Sequence, residues 1–505
     1  MILRCRLLLV LLVGATMMGL AWVGYVGSDD HSYVRGALGW LNDFPYVGRD
    51  HWTLRHTVVL PIAASLALVG SREIALALPS AALFLVLLGT THRYSGRFFG
   101  DDAAPLASLL LATTPLFAVQ ATFPQNVIPM TLAVSVSFWL FCAATRHPRP
   151  TLPMFFSGVA AGLAWITLEI TAALLLFYAL LFVTRRDVPR RAFWSLAVGF
   201  AAIVGVEVAY FAATTGDPLY RYRIDLSHDL VDRIGDAARA MRAGYTLNAE
   251  GNLSVHPLLD PVVGLLANQE FGLIFWLAVP AALWVWRSRS VPPDQRHLLR
   301  LLTGLGLVWM AFVSLNLTVL YVVPRYYAVS TWAAVILVAC WLRALHVSGR
   351  PRLAALAAAG VIAGNLAGVY VENKNPLFAE RHLVEIAAHT REPIYTDPMT
   401  LTRARLLLEF GGSSNRVRSE PVPPGALFYA NPKNIERCRR STPKCRWRWE
   451  DYLPRNGWIE VERVEPERRF AGLVLAVTGI DRLLPREIFE RIDRPNPGAV
   501  LYRAS

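Results

Sequence analysis

Lysine is almost absent from this 505-residue chain, occurring only as Lys374, Lys433 and Lys444. The region before Lys374 therefore holds no amine for Schiff-base or general-base chemistry. Charge of either sign is scarce as well. Charged residues make up 17% of the chain, against about 25% in soluble globular proteins, while 54% of residues are hydrophobic. This balance argues against an ordinary soluble domain and for a multi-spanning membrane protein. No Walker loop, dinucleotide fingerprint or HExxH occurs, so nothing supports nucleotide-driven transport. The five cysteines are scattered. Cys5, Cys142 and Cys340 lie in apolar runs and read as inert packing residues. Cys438 and Cys445 stand close together in polar "ERCRRSTPKC". They predict a disulfide if that segment is extracytoplasmic, with a zinc pair the weaker alternative because no His or further Cys lies nearby.

What the chain has in abundance is long apolar runs. Those of spanning length lie near 5–27, 73–91, 104–121, 127–145, 153–168, 170–184, 192–213, 271–287, 300–320, 327–345 and 353–371, about eleven spans. The first run exceeds a signal-peptide core and has no clear cleavage site, so it is read as a retained span. The run at 57–70, "TVVLPIAASLALVG", is short and holds a proline; it is expected to be interfacial or re-entrant. The net charge of +13 fits this layout. The loops "THRYSGR", "TRHPRP", "TRRDVPRR", "RSRSVPPDQRHLLR" and "RALHVSGRPR" alternate with loops poorer in Arg, which places them inside. Nucleic acid is therefore not an expected partner.

The predicted fold class is mainly α, a polytopic membrane protein of about eleven transmembrane helices plus a C-terminal periplasmic α/β or α+β domain. The transmembrane domain is drawn at 1–371, with a first outer loop at 28–72 and a long outer loop at 214–270. The C-terminal domain is drawn at 372–505. There "EPIYTD", "GALFYANP", "WIEVERVEP" and "GAVLYRA" read as strands, and "PMTLTRARLLLEFGG" as a helix ending at glycine. "LVDRIGDAARAMRAGY" in the long outer loop has the pattern of an amphipathic surface helix.

The chemistry concentrates after the first span, in "VGSDDHSY". Asp29 and Asp30 are adjacent like charges, so at least one should have a raised pKa. Tyr33 and Arg35 follow, then "YVGRDHWTLRHTVVLP", which carries His51, Arg55 and His56. A carboxylate poised near neutral pH suits a general base acting on a hydroxyl or amine. The neighbouring cations suit a phosphate leaving group.

The order of these features resembles the membrane-embedded GT-C glycosyltransferases, and more narrowly the protein O-mannosyltransferase and lipid A aminoarabinose transferase superfamily. The likeness runs through "DDHSY", "HWTLRHTVVLPIAASLALVG", "REIALALPSAAL", "RYSGRFFGDDAAPLASLLLATTPLF" and the "GLAWIT" turn, and loosely through the outer "PRYY". It implies a polyprenyl-phosphate-linked sugar as donor, reached from the bilayer of the inner membrane, and a periplasmic acceptor of unknown type. It also implies inversion at the anomeric carbon. Carried over residue by residue, Asp29 or Asp30 would be the base, with Asp30 favoured as nearer the aromatic. Arg55 and His56 would contact phosphate, as would Arg325 beside Tyr326, and Glu169 stands where relatives often have Lys. No cofactor is required by this reading, although a divalent metal stays open. Relatives often carry a second acid in the next outer loop; here "ATFPQNVIPM" offers Gln125 and Asn126 instead.

Other candidates are weaker. Glu207, inside a span, is either functional or a polar contact to another helix. "GDPLYRYRIDLSHD", with His228, has no diagnostic metal spacing. "HRYSGRFFG" reads as a solvated inside loop anchoring lipid headgroups. Two alternatives to the enzyme remain: a lipid or sugar transporter, and a non-catalytic relative acting in envelope glycan assembly.

Overall fold

A computed structural model describes residues 2–184, 188–227, 259–288, 291–317, 323–373, 375–440, 447–467, 470–486, 489, 493 and 495–505. The stretch read as an amphipathic surface helix, and His228, lie outside the described residues.

The chain divides into two compact units. The first comprises Met1–Trp22, Ser32–Ala67 and Ala77–Glu372. Among the described residues six helices are long and apolar enough to cross a membrane, Glu73–Phe99, Val127–Ala144, Arg190–Thr215, Pro293–Leu315, Pro324–Val347 and Pro351–Glu372, and six shorter apolar helices accompany them. One expectation needs revision. The run at 104–121 is not one span but two helices, Ala103–Thr113 and Pro115–Gln120, with Thr114 extended between them. Pro115 has no N–H to donate and disfavours helical geometry at Thr114, which explains the break. Within the region 28–72, drawn as the first outer loop, the chain forms helices Asp29–Asn42 and His56–Val69.

We number the helices used below in chain order. Helix α1 is Asp29–Asn42, α2 His56–Val69, α3 Glu73–Phe99, α4 Ala103–Thr113, α5 Thr151–Thr167, α6 Arg190–Thr215 and α7 Tyr220–Leu226. With 14 residues, α2 rises only about 21 Å, less than a hydrocarbon core of about 30 Å.

The first unit's core is aromatic: Trp139, Phe138 and Trp332 are fully buried, with the Trp139 and Trp332 rings edge to face at 5.5 Å. Helices α5 and α6 pack backbone to backbone. A Cβ at Gly158 would run into the Leu196 carbonyl oxygen, and one at Gly199 into that of Phe155. Small residues permit this approach where lipid supplies no hydrophobic force between helices. Gly158→Ala must therefore push α5 and α6 apart. The expected outcome is a lower thermal midpoint for the purified protein, while Gly205→Ala, where a Cβ meets nothing within 4 Å, leaves it unchanged.

The second unit joins Asn373–Ser505 with two short stretches from far upstream, Val23–His31 and Leu68–Leu76. Among the described residues its sheet has five strands: β1 Ile394–Thr396, β2 Val417–Arg418, β3 Leu427–Ala430, β4 Ile459–Val464 and β5 Ala499–Arg503. Their order is β2-β1-β3-β5-β4. The first three run parallel, while β5 pairs antiparallel with both β3 and β4. Tyr429 and Phe428 of β3 are fully buried on opposite faces of this sheet.

Candidate active site

Asp30 lies at the start of α1 and is 1% exposed. Both its carboxylate oxygens are occupied by the preceding turn. Oδ2 accepts the backbone N–H groups of Val26 at 2.5 Å and Gly27 at 3.3 Å. Oδ1 accepts those of Ser28 at 2.6 Å and His31 at 3.1 Å. Burial pushes the Asp30 pKa up to about 6 against the pull of these four donors, so the group is still ionised at neutral pH. Asp29, the preceding residue, is only half-buried.

The same unit holds this turn in place. Tyr25 donates its N–H to Glu73 Oε1 at 2.8 Å and its hydroxyl lies 3.0 Å from His31 Nδ1. Arg381 reaches Glu73 at 2.5 Å and the Val23 carbonyl at 3.5 Å. Arg403 donates to the carbonyls of Val26 and Pro376, both at 3.2 Å. Gly27 adopts φ 67°, and a Cβ there would lie 3.2 Å from the Arg403 carbonyl oxygen. Both the left-handed backbone and the close approach call for glycine.

In the first unit a second cluster forms around two buried arginines. Arg55 donates from Nη1 to the Tyr33 hydroxyl at 2.7 Å and from Nη2 to Glu169 Oε2 at 3.5 Å. Its Nε makes no hydrogen bond among the described residues. Arg221, 1% exposed, bonds Glu207 Oε1 at 2.6 Å and the Ile166 carbonyl at 3.0 Å. It also bonds Glu169 Oε1, and Asp225 through Nε at 3.4 Å. Burial, then the Glu169 charge, raises the Asp225 pKa to about 7.

The cluster thus gathers Tyr33, Arg55 and Glu169 from the sequence-based candidates. It adds Arg221 and Asp225, which sequence reasoning passed over, and answers Glu207. A buried acid in a span demands a cation, and Arg221 on the short helix after that span was the available signal.

The remaining candidates fall elsewhere. His56 stands among Trp40, Tyr210 and Phe211 with ring centroids 5.1–5.6 Å apart. Its Nδ1 lies 3.9 Å from Glu207. Burial and Arg221 lower its pKa to about 4, so at pH 7 it is neutral and brings no positive charge to a phosphate. Arg35 pairs with Asp50 at 3.4 Å on an exposed surface. His51 lies tilted against Trp52 with ring centroids 3.7 Å apart. Arg325 lies 5.6 Å from the Tyr326 ring centroid in the separate turn Pro324–Tyr327. Gln125 and Asn126 are buried. No three His, Cys, Asp or Glu side chains among the described residues are grouped to hold a metal ion. Cys438 is disulfide-bonded, and its expected partner Cys445 lies outside the described residues.

Residues 57–211 match the family described as dolichyl-phosphate-mannose-protein mannosyltransferase. No curated protein matches the chain by sequence. Solved structures do match. The chain is similar to ArnT from Cupriavidus metallidurans in the apo state, with TM-score 0.55, 12% identity, and 89% of this chain and 99% of that one covered. For the same protein bound to undecaprenyl phosphate the values are 0.55, 14%, 88% and 96%. For the Archaeoglobus fulgidus oligosaccharyltransferase AglB, in complex with an inhibitory peptide and a dolichol-phosphate, they are 0.51, 13%, 83% and 64%. Residues 57–211 thus carry the sequence signature of that mannosyltransferase family, and the chain as a whole shares the fold of these membrane glycosyltransferase structures.

Proposed function

We propose that this protein is an inverting glycosyltransferase of the inner membrane. It moves a sugar from a polyprenyl phosphate to a lipid, glycan or protein acceptor on the periplasmic side. The observation that carries the reading is Arg55. It is a buried guanidinium with an unbonded Nε, one neutral partner in Tyr33 and a loose 3.5 Å contact to Glu169. Such a group can exchange its carboxylate for a phosphate oxygen and stabilise the charge that develops as phosphate leaves. The lipid phosphates bound by the ArnT and AglB relatives support a donor of this class.

The acceptor hydroxyl or amine attacks the anomeric carbon and forms the new glycosidic bond. The bond from that carbon to the phosphate oxygen breaks, and its electron pair leaves on the polyprenyl phosphate. A carboxylate takes the acceptor proton. We assign this role to Asp29 rather than the initially favoured Asp30. A general base needs a lone pair facing the substrate, and the Asp30 carboxylate already accepts four backbone donors. Asp29, the adjacent carboxylate at the start of α1, is half-buried rather than enclosed by the turn. No step is routed through a metal.

Purified protein in liposomes with labelled polyprenyl-phosphate sugar and envelope lipid extract provides the test. Label is expected in an acceptor fraction. Label that crosses the bilayer unchanged identifies a transporter, and label that does neither identifies a non-catalytic relative.

A further inference from the structure

The inner end of α3 carries "HRYSGR", which the proposed reaction leaves unused. His92 lies 19 positions after Glu73 on this 27-residue helix, about 28 Å along its axis. That is roughly one hydrocarbon thickness, so if the helix enters at Glu73 it leaves the bilayer near His92. There a cavity of about 680 Å³ opens in the first unit. Leu7 and Val86 line it from the apolar side, and His92, Arg93, Arg97 and Asp101 from the polar side.

Three observations define what it would take. Arg93 and Arg97 are exposed and face one lining carboxylate, leaving the cavity positive. His92 is 4% exposed, yet among the described residues neither ring nitrogen completes a hydrogen bond. Val86 is 51% exposed, and Leu8, Leu9 and Leu12 are also more than half exposed on the helix Ile2–Leu20, as befits a surface facing lipid chains.

We propose that this cavity is a binding site for the phosphodiester headgroup of an anionic phospholipid, in the leaflet on the arginine-rich side. The acyl chains lie along Leu7 and Val86 while Arg93, Arg97 and His92 hold the phosphate. Basic cavities between spanning helices are suited to such headgroups. The site is independent of the proposed sugar transfer.

The test is native mass spectrometry of the full chain released from nanodiscs of equal phosphatidylglycerol and phosphatidylcholine. Phosphatidylglycerol adducts should predominate. The double variant Arg93→Gln and Arg97→Gln should lower that preference roughly thirtyfold, the weight of two arginines at a membrane surface. His92→Phe should lower it partly, and Arg149→Gln, exposed in another loop, should not. Equal retention of both lipids overturns the proposal, as does a preference unchanged in the double variant. A site that fills with inorganic phosphate added in detergent and shows no preference for phosphatidylglycerol overturns it as well.

Discussion

Asp29→Asn is expected to lower sugar transfer by about 10²- to 10⁴-fold, the usual contribution of a positioned general base, with the protein's amount and thermal midpoint unchanged. The neighbouring substitution should behave differently. Asp30→Asn puts an amide nitrogen where two backbone N–H groups now donate, so it should lower the midpoint as well as the activity. The pH dependence separates them further. Burial raises the Asp30 pKa from 3.8 to about 6, so the folded state binds this proton more tightly than the open chain does. The stability it contributes is fully present below pH 3.8 and lost as pH rises through about 6. Asp30→Asn should flatten that segment of a midpoint-against-pH curve, and Asp29→Asn should not. Full transfer activity in Asp29→Asn with none in Asp30→Asn would return the base to Asp30.

Arg221→Met should give the largest loss of stability, about 3–5 kcal/mol, the range for removing one partner of a buried ion pair. Its guanidinium is the cation beside Glu207, whose side chain is 3% exposed, and it also bonds Glu169. With the guanidinium gone these acids must protonate or find water. Adding Glu207→Gln to Arg221→Met removes one stranded charge and should recover part of the midpoint. A single variant that melts like wild type would show that Arg221 is not the ion holding this cluster. Activity should fall with stability in the single variant, because Glu169 joins Arg221 to Arg55.

Much of the fold could be read in the residues. Helices follow the apolar runs, and the strands in "EPIYTD", "GALFYANP" and "GAVLYRA" follow β-branched and aromatic residues between turn formers. The break at Pro115 was equally visible as a proline, but an apolar run of spanning length outweighed it. In the site, Tyr33, Arg55 and Glu169 were all named from sequence. The choice between Asp29 and Asp30 was not legible. Adjacent helical residues point about 100° apart, and only the turn made by Val26–Ser28 decides which of them receives the backbone donors. Arg221 and Asp225 face each other one helical turn apart, but the carboxylates that draw them into the cluster, Glu207 and Glu169, lie 14 to 56 positions away, a distance that no local pattern encodes.

The upstream stretches Val23–His31 and Leu68–Leu76 fold with Asn373–Ser505, tied to it through Arg381 and Arg403. The polar C-terminal region is therefore not folded from its own sequence alone. In any chimera between relatives, three separate pieces of sequence form one exchangeable cassette, and the aspartate pair travels with it. Swapping the C-terminal piece alone would graft foreign arginines onto a native acid-bearing turn, and a silent hybrid made that way would say nothing about acceptor choice.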